Sequence, residues 1–399
     1  MAFGDFTVDR NSTKYVLGSG GDIISYATDE PAFEFNADGS YKGLLVEPAA
    51  TNLALQSEDI NTTWGPSNAT PTQSTEETPD GDTSNKYIKL VDDGSTGTGQ
   101  VFVSQTITFA ESTKYTASAF FKADQLAFAR ITVFNYNTGG TDGNQYFGLS
   151  GAGSLGTATF LDDSSIEAYP NGWYRCSVTW TQGAGDTSAN VALYVADSIS
   201  SANVDLDGTS SVFVWGAQVE EGPIATSYIP TTTASVTRNK DDINLTSASS
   251  LIGQTEGTLY VEVDWRRAVG AGQVLLEVNS GGSDRVIIYQ VANVEDFRML
   301  IISNGSTVTN QGESSSSYSG VKKFAFTYSS AGTGKSVLYV DGADVSTDTD
   351  VAIAFSSTLT DVRLGQDVNF IGQANMWIRA AALFPRALSE AEAEALTTV

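Results

Sequence analysis

Histidine is missing altogether from the 399 residues, and cysteine occurs once, as Cys176. These gaps exclude a His-based catalytic triad, a His/Cys zinc site and any intrachain disulfide. Positive charge is scarce as well: 21 Lys+Arg stand against 47 Asp+Glu, a net charge of −26. Such a surface repels phosphates and anionic headgroups, so nucleic acid is not an expected partner. No run approaches the ~18 apolar residues of a membrane span, and MAFGDFTVDRN lacks the basic start and apolar centre of a leader, so neither membrane insertion nor a leader is expected.

What the chain has in quantity is turn and strand material: 38 Gly, 41% hydrophobic residues and 10% aromatics. This composition belongs to a turn-rich all-β protein, and the length suits two or three domains of roughly 100–200 residues. The expected fold is an N-terminal β arm over residues 1–55, a jelly roll over 56–237, a second β-sandwich over 238–399 and a short C-terminal helix. The pieces at 14–17, 23–26, 32–35 and 43–46 are too short to enclose a core, so the arm should pack on the chain's own body or on a neighbouring subunit. Strands are expected in the first domain at 86–91, 100–109, 114–122, 129–136, 145–149, 157–161, 172–181, 189–196 and 211–219. In the second domain, the Asp341-Gly342 dipeptide between apolar runs predicts a two-residue hairpin. Ser389 with Glu392 three residues on predicts a capping box for the final helix.

Period-two alternation sorts the side chains. In GWYRCSVTWT it sends Tyr174, Cys176, Val178 and Trp180 to the core and Trp173 and Arg175 to the opposite face. In SVFVWGAQVE it groups Phe213, Trp215, Ala217 and Val219, which should face the first set across roughly 10 Å of sandwich interior. The tail Tyr228-Ile229-Pro230 should dock back on this domain or its neighbour.

Three separated motifs, GLLVEPAATNL (43–53), NGWYRCSVTW (171–180) and VFVWGAQVEEGPIATSYIPTT (212–232), together resemble a carbohydrate-binding-module-like jelly roll of tailed-bacteriophage tail-fibre and head-fibre proteins. The likeness covers about residues 40–237. From 238 onward, YVDGADV and the closing WIRAAALFPRALSEAEAEAL are similar to laminin-G/concanavalin-A-like lectin sandwiches. The resemblance implies a non-enzymatic virion protein, a homo-oligomer and most often a trimer, held to other virion proteins through residues 1–55 and touching a host-surface glycan. A head fibre or capsid decoration protein without receptor function is the alternative, and a glycan-degrading tailspike a third.

Sugar recognition needs aromatic faces and planar polar groups on a solvent-facing sheet surface. In ARITVFNYN the alternation places Arg130, Phe134 and Tyr136 on one face, and a concave face shared with Trp173 and Arg175 would form the glycan site. The competing expectation is that these aromatics lie under the N-terminal arm or at a subunit contact. Hydrolysis would need two carboxylates across a cleft, but the pairs Asp92-Asp93, Asp162-Asp163, Glu220-Glu221 and Asp241-Asp242 are adjacent and point to opposite faces or sit in turns. No catalytic residue and no cofactor is therefore expected. Asp205 and Asp207 in VDLDGT resemble half of a calcium loop, so structural Ca²⁺ is the one metal to consider.

Overall fold

The alternation in GWYRCSVTWT folds as the strand Trp173–Thr181, whose Tyr174, Cys176, Val178 and Trp180 enter the first core. The computed structural model describes residues 5–137, 140, 142–265, 272–291, 296–314, 320–331, 334–349, 351–369 and 372–399. Strands dominate, and Glu390–Thr397 is the one α-helix among the described residues.

The first sandwich stacks two six-stranded antiparallel sheets. One runs Ser154–Thr159, Gly143–Gly148, Phe128–Phe134, Ser188–Ala196, Phe102–Thr108, Gly65–Ser67; the other runs Asp163–Ala168, Trp173–Thr181, Lys114–Ala123, Ser211–Glu221, Lys86–Asp92, Ala69–Ser74. Ile131, Val133 and Val191 from the first meet Phe121, Val178 and Val214 from the second in one apolar core. Burying each such side chain stabilises by about 1.5–3 kcal/mol.

The second sandwich stacks two seven-stranded sheets. The hairpin at Asp341-Gly342 joins Lys335–Val340 to Ala343–Thr349, and φ of 49° and 86° at its two tip residues is the left-handed pair that a tight hairpin turn demands. Ser389 caps the last helix by accepting from the Glu392 amide, while the Glu392 carboxylate accepts from the Ser389 amide.

Two alternation-based expectations are corrected. Trp173–Thr181 and Ser211–Glu221 do not face each other across the interior; they flank the same strand, Lys114–Ala123, in one sheet. Phe213 and Trp215 also leave the set that holds Ala217 and Val219. A bulge at Gly216, with φ of 64°, shifts the register, so Val212, Val214, Ala217 and Val219 point into the core while Phe213 and Trp215 point out. Only glycine fits there without displacement, because a Cβ would lie 2.8 Å from Phe120 Cδ2.

Residues 5–55 are woven into the chain's own body. Thr7–Asp9 pairs with Asp242–Leu245 at the edge of one seven-stranded sheet, and Phe33–Phe35 and Tyr41–Val46 extend the other beside Met376–Phe384. The hairpin of Lys14–Leu17 and Ile23–Tyr26 packs on both sandwiches: Val16 and Tyr26 meet Leu45 and Trp377 of the second, and its other face lies on the first. Its Tyr15 and Ile23 close over Phe120, Trp173, Phe213 and Trp215. Tyr228 docks in the same cluster, 4.6 Å from the Trp215 ring, and its hydroxyl meets Ser57 Oγ at 2.7 Å.

A buried charge cluster ties these pieces together. Asp241 Oδ1 accepts from Arg10 Nη1 at 2.9 Å, and its Oδ2 accepts from Lys14 Nζ at 2.7 Å and from the Glu47 amide at 2.9 Å. Glu47 in turn lies 3.1 Å from Lys14 Nζ and 3.6 Å from Arg238 Nη2, and it accepts from the Ser227 amide. All five side chains are at most 1% exposed. Arm, hinge and linker thus meet at one point, between the sandwiches.

Candidate functional site

The outer face of the sheet containing Phe128–Phe134 carries the most developed surface of the first sandwich. Arg130 stands in register with Tyr146 on one neighbouring strand and Tyr194 on the other, because strand pairing puts all three on one face. Its guanidinium lies 3.7 Å from the Tyr194 ring centroid and 5.4 Å from that of Tyr146. Nη1 donates to Tyr146 Oη at 3.0 Å and Nη2 to Gln100 Oε1 at 3.1 Å, so the cation is fixed in orientation.

Around this cation the sheet presents rings. Phe102 stacks on Tyr194 with centroids 4.4 Å apart, and Phe134 lies 6.0 Å from Phe102. Phe102, Phe134 and Tyr146 are half-buried, whereas Tyr194 is fully covered and its phenol is pushed up to about 12, mainly by burial. Amides and hydroxyls extend the same face: Thr132 Oγ1 donates to Asn144 Oδ1, and Asn144 Nδ2 donates to Thr159 Oγ1. The result is an aromatic platform with a fixed cation and a polar margin.

The five residues expected to form one glycan site are divided by the fold. Arg130 and Phe134 come together as described. Tyr136 is turned into the core, since Asn135 at φ 55° breaks the alternation, and its hydroxyl donates to the Phe160 carbonyl. Trp173 and Arg175 belong to the opposite sheet, so no shared concave face exists. Trp173 lies under the N-terminal hairpin with its Nε1 donating to the Glu77 carbonyl, which is the arm packing that the sequence offered as the alternative. Arg175 lines a cleft between the two sandwiches.

Tyr146, Tyr194 and Phe102 carry no signal in the sequence because each belongs to a separate strand and only the pairing register joins them to Arg130, and Gln100 reaches it from a separate two-stranded sheet. For metal, Asp207 Oδ1 accepts from the Thr209 amide and hydroxyl, which holds its carboxyl below the usual range, while the Asp205 carbonyl accepts from Ser210 Oγ. Among the described residues, no three acidic or thiol side chains group as a metal site would require. Of the carboxylate pairs, Glu220 is buried and accepts from Gln218 Nε2, the Thr226 amide and the Thr226 hydroxyl, whereas Glu221 is exposed.

The fold and this surface define an all-β protein of two sandwiches. No protein-family model matches the chain, and no curated protein matches it. Among solved structures, it is similar to the CBM40 of the Ruminococcus gnavus IT-sialidase bound to α2,3-sialyllactose, at 17% identity and a TM-score of 0.31, over 38% of this chain and 86% of that one. It is also similar to the binding domain of botulinum neurotoxin DC in complex with SialylT, at 12% identity and a TM-score of 0.30, over 39% of each chain. A likeness of this size assigns no ligand to this chain.

Proposed function

We propose that the chain is a non-enzymatic adhesive protein of a tailed-bacteriophage particle, of tail-fibre or receptor-binding kind, that holds a host-surface glycan. The observation that carries the reading is the platform around Arg130. Half-buried rings at Phe102, Phe134 and Tyr146 offer faces for a pyranose, and the Arg130 guanidinium, 6% exposed and bonded to Tyr146 and Gln100, holds those rings in place and puts positive charge beneath them. The three motifs of residues 40–237 support placement on a virion, where several weak sites on a homo-oligomer, such as a trimer, add up to firm attachment. In this reading residues 1–55 contact other virion proteins through the faces they leave outward, among which Ile24, 41% exposed, is an apolar contact point in the described part of the segment.

The same aromatic face would serve a head fibre or capsid decoration protein as a subunit contact, which is the second reading. Binding of purified protein to host cells separates them. Phe134→Ala with Tyr146→Ala is expected to weaken cell binding by at least about tenfold, the scale of an interface hot spot, while oligomer mass by light scattering stays constant. No cell binding by the parent protein, with a smaller oligomer in the double variant, selects the second reading, and release of reducing sugar from host polysaccharide would overturn both.

A further inference from the structure

Residues 222–225 leave the strand Ser211–Glu221 and cross the junction between the sandwiches, with open space on either side. On one side lies a cleft of about 300 Å³ walled by Asp163–Ala168 and Trp173–Thr181 from the first sandwich, Ile224 from the crossing segment and Trp377 from the second. The volume is at the lower end of small-molecule sites.

Its walls are built for hydroxyl groups. Ser165 and Ser177 pair through their hydroxyls at 2.7 Å, and Thr179 Oγ1 donates to the Pro223 carbonyl at 3.2 Å. Arg175, 8% exposed, spends one hydrogen bond on Ser118 Oγ at 3.3 Å, and its Nε has no partner in the protein. The Nε is buried and the guanidinium lies 5.5 Å from the Phe120 ring centroid, so the Nη donors beyond the Ser118 bond are the ones a ligand's oxygens would meet. Glu167, the cross-strand partner of Arg175 on the same wall, supplies acceptors beside it and is held at 3.0 Å by Lys42, whose ammonium sits 3.9 Å from the Trp377 ring centroid. Ile166 and Ile224 give the apolar contact.

Charge decides the ligand class. Two cations, Arg175 and Lys42, meet three carboxyls at or just behind the cleft: Asp163, Glu167 and Glu220, which acts on Arg175 through buried space. With −26 on the whole chain, an anion gains nothing here. We propose that the cleft is a second saccharide site that takes one neutral pyranose unit, with Arg175 donating to its ring or hydroxyl oxygens and Glu167 accepting from its hydroxyls. The site stands whether or not the Arg130 platform binds a glycan. Because both sandwiches wall it, an occupied cleft also braces the junction.

The test uses the full chain and a panel of glucose, galactose, mannose, N-acetylglucosamine, glucuronate and sialic acid, read by saturation-transfer NMR and by thermal shift. Ser165→Tyr fills the mouth from an exposed position on an edge strand, and Ile224→Trp fills it from the crossing segment. At least one neutral sugar is expected to bind at about millimolar Kd, with at least tenfold loss in both filling variants and none in Phe134→Ala. No neutral sugar bound, acidic sugars alone bound, or binding indifferent to both filling variants would each overturn it. Loss on Phe134→Ala with indifference to Ser165→Tyr would do so while leaving the Arg130 platform standing.

Discussion

Asp241→Asn should be among the most damaging single-atom-scale changes available in this chain. The carboxylate accepts from Arg10, from Lys14 and from the Glu47 amide, and neither cation side chain is exposed at all. An asparagine keeps the volume but turns an amide group toward one of the two cations, which leaves buried positive charge facing a donor. Breaking a buried pair in this way costs about 3–5 kcal/mol, because the remaining charge has no water to return to. For a unit of 150–250 residues this corresponds to roughly 6–20 °C of melting temperature.

Differential scanning calorimetry reads the loss, and limited proteolysis shows where it falls. Residues 232–237 are exposed while Arg238 and Asp241 anchor the following chain, so cleavage in this linker should accelerate. Asp207→Asn, in an exposed turn, is the matched control and should stay within about 0.5 kcal/mol. Lys14→Met combined with Asp241→Leu should cost less than the two single changes added together, since the Lys14 ammonium and the Asp241 carboxylate leave as a pair and Arg10 alone loses its carboxylate partner. If Asp241→Asn melts within about 2 °C of the parent, the cluster does not hold the junction and the reasoning fails.

Other outcomes follow from the same geometry. Burial, opposed by Arg285, pushes the Glu277 carboxyl from its ordinary 4.5 up to about 8; a raised value means the fold binds the extra proton, so stability is full below pH 4.5 and falls as pH climbs through 8, by a ceiling of roughly 5 kcal/mol. Urea midpoints of the parent and Glu277→Gln at pH 5 and pH 9 should therefore diverge, and parallel curves would rule the effect out. Gly216→Ala should cost about 1–3 kcal/mol, since φ of 64° and the Phe120 ring 2.8 Å from the new Cβ both oppose it; a neutral melting temperature would show that the bulge relaxes. Ser389→Ala should remove about 1 kcal/mol by breaking the capping box, seen as earlier loss of helical circular dichroism. Added NaCl should raise the melting temperature by screening the net charge of −26, and a flat response would exclude self-repulsion as a term.

Local patterns were legible where local chemistry decides. The Asp341-Gly342 turn, the Ser389 and Glu392 box and the inward set from Tyr174 to Trp180 needed only neighbours in sequence. Alternation failed where a single left-handed residue resets it: Gly216 ejects Phe213 and Trp215 from the expected core, and Asn135 draws Tyr136 into it. The strand Asp163–Ala168 leaves no pattern in the sequence, because an edge strand of DSSIEA buries too little for hydrophobic contrast to appear. Asp241 was read as turn chemistry, since a carboxylate in SVTRNKDD looks solvated until Arg10 and Lys14 arrive from the other end of the chain.

The N-terminal segment also explains why the expected site had to divide. A β-sandwich offers two outer faces, and the strand pattern alone treats them as equivalent. Residues 14–26 cover one of them, burying Trp173, Phe120 and Trp215 beneath Tyr15 and Ile23, and Tyr228 returns to complete the cover. Aromatics on that side are therefore joint material, each stabilising the seam by about 1.5–3 kcal/mol. On the opposite sheet the rings at Phe102, Phe134 and Tyr146 remain half-open around Arg130. The arm, by occupying one face, leaves the rings of the other partly open to solvent, and it leaves Arg175 at the border where the two sandwiches meet.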